Sequence, residues 1–463
     1  MNLLGIGDDI LLHILRISLG REALPDVVLV CRRLYHLGMP FLVANVYVSS
    51  IKSFIRFSKF MDSEASSRWL PHIRSLITFF SPYSTENQRY FPSWASRVAT
   101  IIRLSSKLEV FQSDCIEDLL EAEPMIGEAL IECRSLTRLH FQGAGTATLD
   151  MLALMRSPIR EFNVTAKHPL KGMNAFSALS PFHSTVTSVH ITWLSLLPNE
   201  SQVQTTFPKV RNLSLLYSTS STPTLLRIFP NARSIFLASC QMSSDSKASN
   251  TPSWGKLDHL HFSGMDLSEM VLSCPGTGKL VVSCLDGEGG TSGRSDTKPF
   301  LRLVEGTYPR HLDVLATQAS IIELSECGLG RFIPRTEMFM LHTVDMKSNQ
   351  NADRIMESVG MIVDSLKSTS CLFYLDISLR GSPTGPTLFP NESLQERIQD
   401  LADASPSLLA VWLCDDDGSE FWNVRRDPED SGKAELRKMP GQTCLDNWSV
   451  QYYPASFHDH LRA

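Results

Sequence analysis

The sequence predicts an α/β protein: a short N-terminal helical motif followed by an irregular solenoid of repeats whose short strands form a parallel sheet. Three observations carry this. One apolar motif returns at steps of roughly 22 to 27 residues. The first fifty residues follow helical spacing instead. The chain also has 463 residues, more than one ordinary core serves, whereas a stacked array grows one repeat at a time.

Composition narrows the function. The chain is 43% hydrophobic and 20% charged, which excludes wholesale disorder. A net charge of -6 and a pI of about 6.1 give no basic field, so no nucleic-acid partner is expected. Asp8 and Asp9 interrupt the apolar start, and no uncharged apolar run reaches the roughly 18 residues a bilayer span needs. The expectation is no membrane partner and a cytoplasmic or nuclear location. Ten cysteines without a C-x-x-C pair read as reduced core thiols.

The first element, residues 1–48, opens at Asp8-Asp9, where helix N-termini favour anions. Ile10, Leu11, Ile14 and Leu15 recur at helical spacing. After a break at Gly20, Pro25 and Asp26 open a second helix with Val27, Val30, Cys31 and Leu34 as its stripe. Gly38-Met39-Pro40 ends that helix, and Phe41 to Val48 is apolar and partly β-branched. So small a unit must lean on a partner or on the next domain. The order D-D-I-L-L-H-I-L, then L-V-C-R-R-L-Y and M-P-F-L, resembles an F-box, although Ile6-Gly7 stands where that family has Leu-Pro. The resemblance covers about a tenth of the chain. It implies binding to a Skp-type adaptor, and through it a cullin, with Ile10, Leu11, Ile14, Leu15, Val30, Cys31, Leu34 and Pro40 as adaptor-binding residues. A plain helical cap on the repeats is the alternative reading.

The second element, residues 49–417, carries the motif apolar-x-x-apolar-x-apolar. It reads Leu136-x-x-Leu139-x-Phe141, Ile159-x-x-Phe162-x-Val164, Val186-x-x-Val189-x-Ile191 and Val210-x-x-Leu213-x-Leu215. It continues as Ala232-x-x-Ile235-x-Leu237, Leu257-x-x-Leu260-x-Phe262 and Leu341-x-x-Val344-x-Met346. Ile322-x-Leu324-x-x-Cys327-x-Leu329 extends toward a fuller form. Strand geometry turns alternate residues inward, and no repeat can bury its apolar face alone. The pattern resembles a leucine-rich repeat with irregular lengths. Flanking helices are expected on Trp94, Val98 and Ile101, on Ile355, Val359, Ile362, Val363 and Leu366, and on Leu394, Ile398 and Leu401. Strands are expected at 108–111, 372–377 and 408–413, and loops at 243–255 and 286–299. The third element, residues 418–463, reads as a capping tail over the open end.

Chemical motifs fail on inspection. Pro275-Gly276-Thr277-Gly278-Lys279 lacks the first glycine and final hydroxyl of a phosphate loop. There is no G-x-S-x-G and no H-E-x-x-H. Asp415-Asp416-Asp417 lacks the alternating spacing of a calcium loop. His259 and His261 share a strand face without a third ligand, so no metal and no cofactor is expected.

The expected activity is therefore binding: the substrate-recognition subunit of a Skp-cullin-F-box ubiquitin ligase. A repeat scaffold without ligase assembly is the alternative, and an enzyme with an unrecognised site comes last. Period 2 places Arg138, His140, Asn163, His190, Ser214, Leu216, Phe236, His259, His261 and Asp345 on the outward face as substrate-binding residues. Gln142, Glu161, Thr165, Ser188, Thr192, Asn212, Ser234, Ser263, Thr343 and Lys347 share it. Leu216 and Phe236 come from consecutive repeats and stand out as apolar, rimmed by His261, Ser214 and Arg138. The substrate, an unidentified protein, is not specified by any of this.

Overall fold

The computed structural model describes residues 6–18, 23–63, 66–79, 82–83, 85–168, 173–197, 205–242, 253–268, 270, 272, 274–283, 297–343, 352–379, 392–415, 419–426 and 433–439. It is mixed α/β and falls into two compact units. One comprises residues 1–220 with 227–230, the other 221–226 with 231–463.

The first unit begins with three helices, Asp8–His13, Leu24–Val28 and Arg32–Leu42. Leu15, Leu24, Val28, Met39, Val43 and Trp69 form their shared core. Sequence spacing predicted one helix from Pro25 to Gly38. Instead the chain is extended at Cys31 (φ -156°, ψ 161°), and the third helix runs through Pro40 to Leu42. The break lets the two helices fold against each other: Gly38 lies so close to Val28 that a Cβ would stand 2.2 Å from Val28 Cγ2. The expected break at Gly20 lies outside the described residues.

Seven strands follow: β1 (Asn45–Val48), β2 (Ser75–Thr78), β3 (Val110–Ser113), β4 (Arg138–Ala144), β5 (Glu161–Ala166), β6 (Ser188–Thr192) and β7 (Asn212–Leu216). Each pairs with the next in parallel. The inward row Leu76, Phe111, Leu139, Phe162, Val189 and Leu213 is buried throughout, which is what the repeating apolar position requires. The helices Phe91–Leu104, Met125–Glu132 and Thr146–Leu154 return the chain, and Trp94, Val98 and Ile101 are buried as their spacing predicts. Carbonyls stack the repeats: the Glu109 carbonyl accepts from the Thr137 and Arg138 amides (2.8 and 3.0 Å), and the Thr137 carbonyl from those of Arg160 and Glu161 (2.7 and 3.1 Å). Glu117 ties two repeats together by accepting from the backbone amides of Gly145, Ala147 and Thr148 at the start of the helix Thr146–Leu154.

The second unit continues with β8 (Ser234–Ala238), β9 (His259–Ser263), β10 (Lys279–Ser283), β11 (His311–Ala316), β12 (Met338–Thr343), β13 (Tyr374–Leu379) and β14 (Ala410–Asp415). These are also consecutive and parallel. The helices Ala352–Leu366 and Glu392–Ala404 bury the residues their periodicity assigns. Two antiparallel strands, β15 (Ser419–Arg426) and β16 (Ala434–Met439), extend this sheet; the tail beyond Met439 lies outside the described residues.

Three expectations about the second unit are corrected. Residues 322–329 do not form a strand. Gln318–Cys327 is a helix, started by Thr317, whose side chain accepts from the Ser320 amide, and stopped by left-handed Gly328 (φ 67°). Its buried positions Ser320, Ile321, Leu324 and Ser325 follow a helical face. The repeat assigned to 341–346 is out of phase: the strand is Met338–Thr343, and Phe339, Leu341 and Thr343 point inward. Thr343 is therefore core, while Val344, Asp345, Met346 and Lys347 lie outside the described residues. The expected loop at 286–299 gives way at Thr297 to a helix, Thr297–Thr307.

Candidate functional site

The N-terminal helices resolve which of their apolar residues are core. Leu11, Leu15 and Leu34 are buried, so they hold the motif together and are not available as adaptor-binding surface. Ile14, Cys31 and Pro40 are half-buried. Ile10 is 57% exposed and Val30 72%, joined by Leu29 at 77%, a residue the sequence pattern did not single out. The Arg33 guanidinium reaches Asp8 and also donates from Nη2 to the Ile6 carbonyl (2.7 Å). That link brings the start of the first helix to the turn that carries Leu29 and Val30.

On the first unit's sheet, strand register sets Ile77, Gln112, His140, Asn163, His190 and Ser214 side by side on successive strands. A groove of about 690 Å³ crosses the first five strands, lined by Tyr47, Ile77, Val110, Gln112, His140 and Asn163 and by two charge pairs. Arg74 meets Glu109 at 3.3 Å and Arg138 meets Glu161 at 3.7 Å. Burial pushes the His140 imidazole down, and burial followed by the charge of His140 does the same for His190. The Asn163 side-chain oxygen is buried without a hydrogen-bond donor.

The structure therefore places Arg138, His140, Asn163, His190 and Ser214 on one face of the sheet, as period 2 predicted. It separates Arg138 from Leu216, however, because three strand intervals of about 4.8 Å lie between β4 and β7. Arg138 does not rim Leu216. Sequence reasoning missed Tyr47, Ile77, Val110 and Gln112. The repeats of the last three, Ile73-x-x-Leu76-x-Thr78 and Leu108-x-x-Phe111-x-Ser113, have the same spacing, but a hydroxyl fills the third inward position; Tyr47 lies in Val43-x-x-Val46-x-Val48, which the sequence reading assigned to the N-terminal helical motif.

In the second unit, Phe236 packs edge-on against His261, ring centroids 4.6 Å apart, and His261 Nε2 lies 3.0 Å from the Ser283 hydroxyl. Lys279 and His342 flank Asp313 at 3.2 and 3.6 Å. His259 is next to His261, yet among the described residues no group of three His, Cys, Asp or Glu side chains is placed to hold a metal ion. Nor is any described helix long and apolar enough to cross a membrane. Ser283, Lys279 and Asp313 were not anticipated, since β10 and β11 went unrecognised, nor was His342, since β12 was read out of phase.

His261 makes stability depend on pH. Burial, then His259, lowers its pKa from the ordinary 6.5 to about 4. The unfolded chain takes up a proton as pH falls through 6.5, whereas the folded chain resists until about 4. The contribution is present above pH 6.5 and is lost progressively toward 4, to a total of up to about 3 kcal/mol. Denaturant titrations over that range should show the slope, and His261→Gln should flatten it. An unchanged slope would refute the assignment.

No known protein-family model matches the chain, and no curated protein matches it in sequence.

Proposed function

We propose that the chain is the substrate-recognition subunit of a Skp-cullin-F-box ubiquitin ligase and performs no chemistry itself. Its F-box-like helices hold the adaptor, and the leucine-rich-repeat-like array holds the substrate. The observation that carries this reading is the exposure of Leu29, Val30 and Ile10 on a motif whose Leu11, Leu15, Leu24, Val28 and Leu34 are buried. Apolar side chains left in water on so small a helical unit are what a docking surface needs. The alternation of short parallel strands with returning helices supports the repeat reading of the rest.

A scaffold without ligase assembly is the second reading, favoured by Ile6-Gly7 in place of Leu-Pro. The backbone still suits the missing proline: Gly7 has φ -59°, and a Cβ there meets nothing within 4 Å.

Deleting residues 1–48 would remove β1 and bare the edge of β2, so point substitutions test the proposal better. In co-purification with a Skp-type adaptor, Leu29→Asp with Val30→Asp should reduce recovery at least about tenfold, equivalent to about 1.4 kcal/mol, and leave the melting temperature unchanged. Ile6→Leu with Gly7→Pro should raise recovery. Undiminished adaptor recovery by the double Asp variant would refute this surface as the docking site, and no adaptor recovery by the unsubstituted chain would leave the scaffold reading standing.

A further inference from the structure

Resting on the substrate-receptor reading, we propose that the groove of the first unit binds an uncharged, unphosphorylated segment of peptide, with an apolar anchor at one end and amide hydrogen bonds at the other.

Charge is the first argument. The charged side chains lining the groove are Arg74, Glu109, Arg138 and Glu161, and each guanidinium faces a carboxylate on the adjacent repeat. Phosphopeptide sites cluster arginines whose forks are open to the phosphate. Here a phosphate reaching either arginine meets Glu109 or Glu161 as well, and like charges repel. The pairs cancel at the rim, and the groove presents no net field to select a charged ligand.

The floor supplies the second argument. Register aligns Tyr47 with Ile77, Ile77 with Gln112, Gln112 with His140 and His140 with Asn163. Five strands make four intervals, about 19 Å in all, the length of about six residues of extended chain. One end of this row is apolar: Tyr47, its ring set edge-on to Phe79 at 5.7 Å, stands beside Ile77, and Val110 lines the groove on the third strand, in register with Ser75. The other end is neutral and hydrogen-bonding. Gln112 and Asn163 are carboxamides, and burial disfavours the charged form of His140. A carboxamide offers both donor and acceptor, so a peptide amide can pair with it without charge. The fitting ligand thus places an apolar side chain over Tyr47, Ile77 and Val110, and an amide three to four residues away against Asn163.

The test uses the full chain on arrayed synthetic peptides, each present unmodified and with its Ser, Thr or Tyr phosphorylated. Unmodified peptides with an apolar residue and a nearby Asn or Gln should bind, at least tenfold more tightly than their phosphorylated copies, with little dependence on salt. Ile77→Arg should abolish that binding. The isosteric Asn163→Asp, which keeps the shape but adds a charge, should weaken it at least tenfold without altering the melting temperature. Preference for phosphopeptides, binding unmoved by both substitutions, or no peptide bound above the Ile77→Arg background would each overturn the proposal. Adaptor capture is measured on the same preparations. Capture without peptide selectivity removes the groove assignment alone, and peptide selectivity without capture removes the ligase reading alone.

Discussion

Gly330→Ala is expected to destabilise the second unit by about 3 kcal/mol, at the upper end of what forced overpacking usually costs. Gly330 sits in the tight turn Leu329–Arg331, and its amide donates to the Ser365 hydroxyl at 3.1 Å. A Cβ there would stand 1.8 Å from the Ser365 carbonyl oxygen and 2.5 Å from its carbon. Backbone, unlike a flexible side-chain tip, cannot step aside. The helix Ala352–Leu366 would have to withdraw, opening the contacts of Ile355, Val359, Ile362 and Leu366, all fully buried. Denaturant unfolding monitored by circular dichroism reads the loss, and proteolysis around residue 330 should accelerate. Wild-type stability in the alanine variant would mean that the two backbones are not in contact.

Glu117→Ala should cost a comparable amount, about 3 kcal/mol, in the first unit. Helix N-termini leave amides without partners, and most helices cap themselves. The helix Thr146–Leu154 has Gly145 at its N-cap, which carries no side chain to do so. Glu117, buried and one repeat away, accepts from the amides of Gly145 (2.8 Å), Ala147 (2.9 Å) and Thr148 (3.0 Å) and from the Thr148 hydroxyl (2.6 Å). Gly145 is required by the same contact, since a Cβ would lie 2.5 Å from the Glu117 carboxyl carbon. Alanine at 117 leaves four donors, three amides and a hydroxyl, without this acceptor, at about 1 to 3 kcal/mol for each group that stays dry. Glu117→Gln, which keeps one acceptor oxygen, should recover part of the loss. Equal thermal shifts for Ala and Gln would argue against the hydrogen bonds as the cause.

The repeat was legible in β4 through β9, where all three inward positions are apolar, whereas the equally apolar Val43-x-x-Val46-x-Val48 of β1 was absorbed into the N-terminal motif. It was lost where a threonine or proline is buried in the first of these positions. Thr277, Pro309 and Thr336 hold the first inward position before β10, β11 and β12, and all three are buried. The Thr277 and Thr336 hydroxyls are satisfied by the carbonyls of Cys274 and Pro309, at 3.0 and 2.9 Å. A template that asks for hydrophobicity passes over a threonine that is buried because it is hydrogen-bonded. With those strands unseen, Lys279 and Asp313 had no assigned face. The helix Gln318–Cys327 was misread for the converse reason, since its Ile322 and Leu324 also fit strand alternation. Outward residues of recognised strands were placed by period 2 alone. Which N-terminal apolar residues are surface was not legible, because Leu11 and Ile10 differ only in the direction each takes from the first helix.

The antiparallel pair that follows β14 changes what the end of the second unit's sheet offers to other molecules. A parallel array stopped at β14 would present the Ala410–Asp415 backbone, flanked by Val411, Trp412 and Leu413, as an open template for strand addition. Among the described residues the outermost strand is instead Ala434–Met439, whose Glu435, Arg437 and Lys438 place charge along the edge. Charged side chains on an edge oppose pairing with a second chain, because docking would strip their water. The short hairpin therefore acts as a guard against aggregation, and the sheet can lengthen by adding repeats within the chain without becoming a seed for fibre growth between chains.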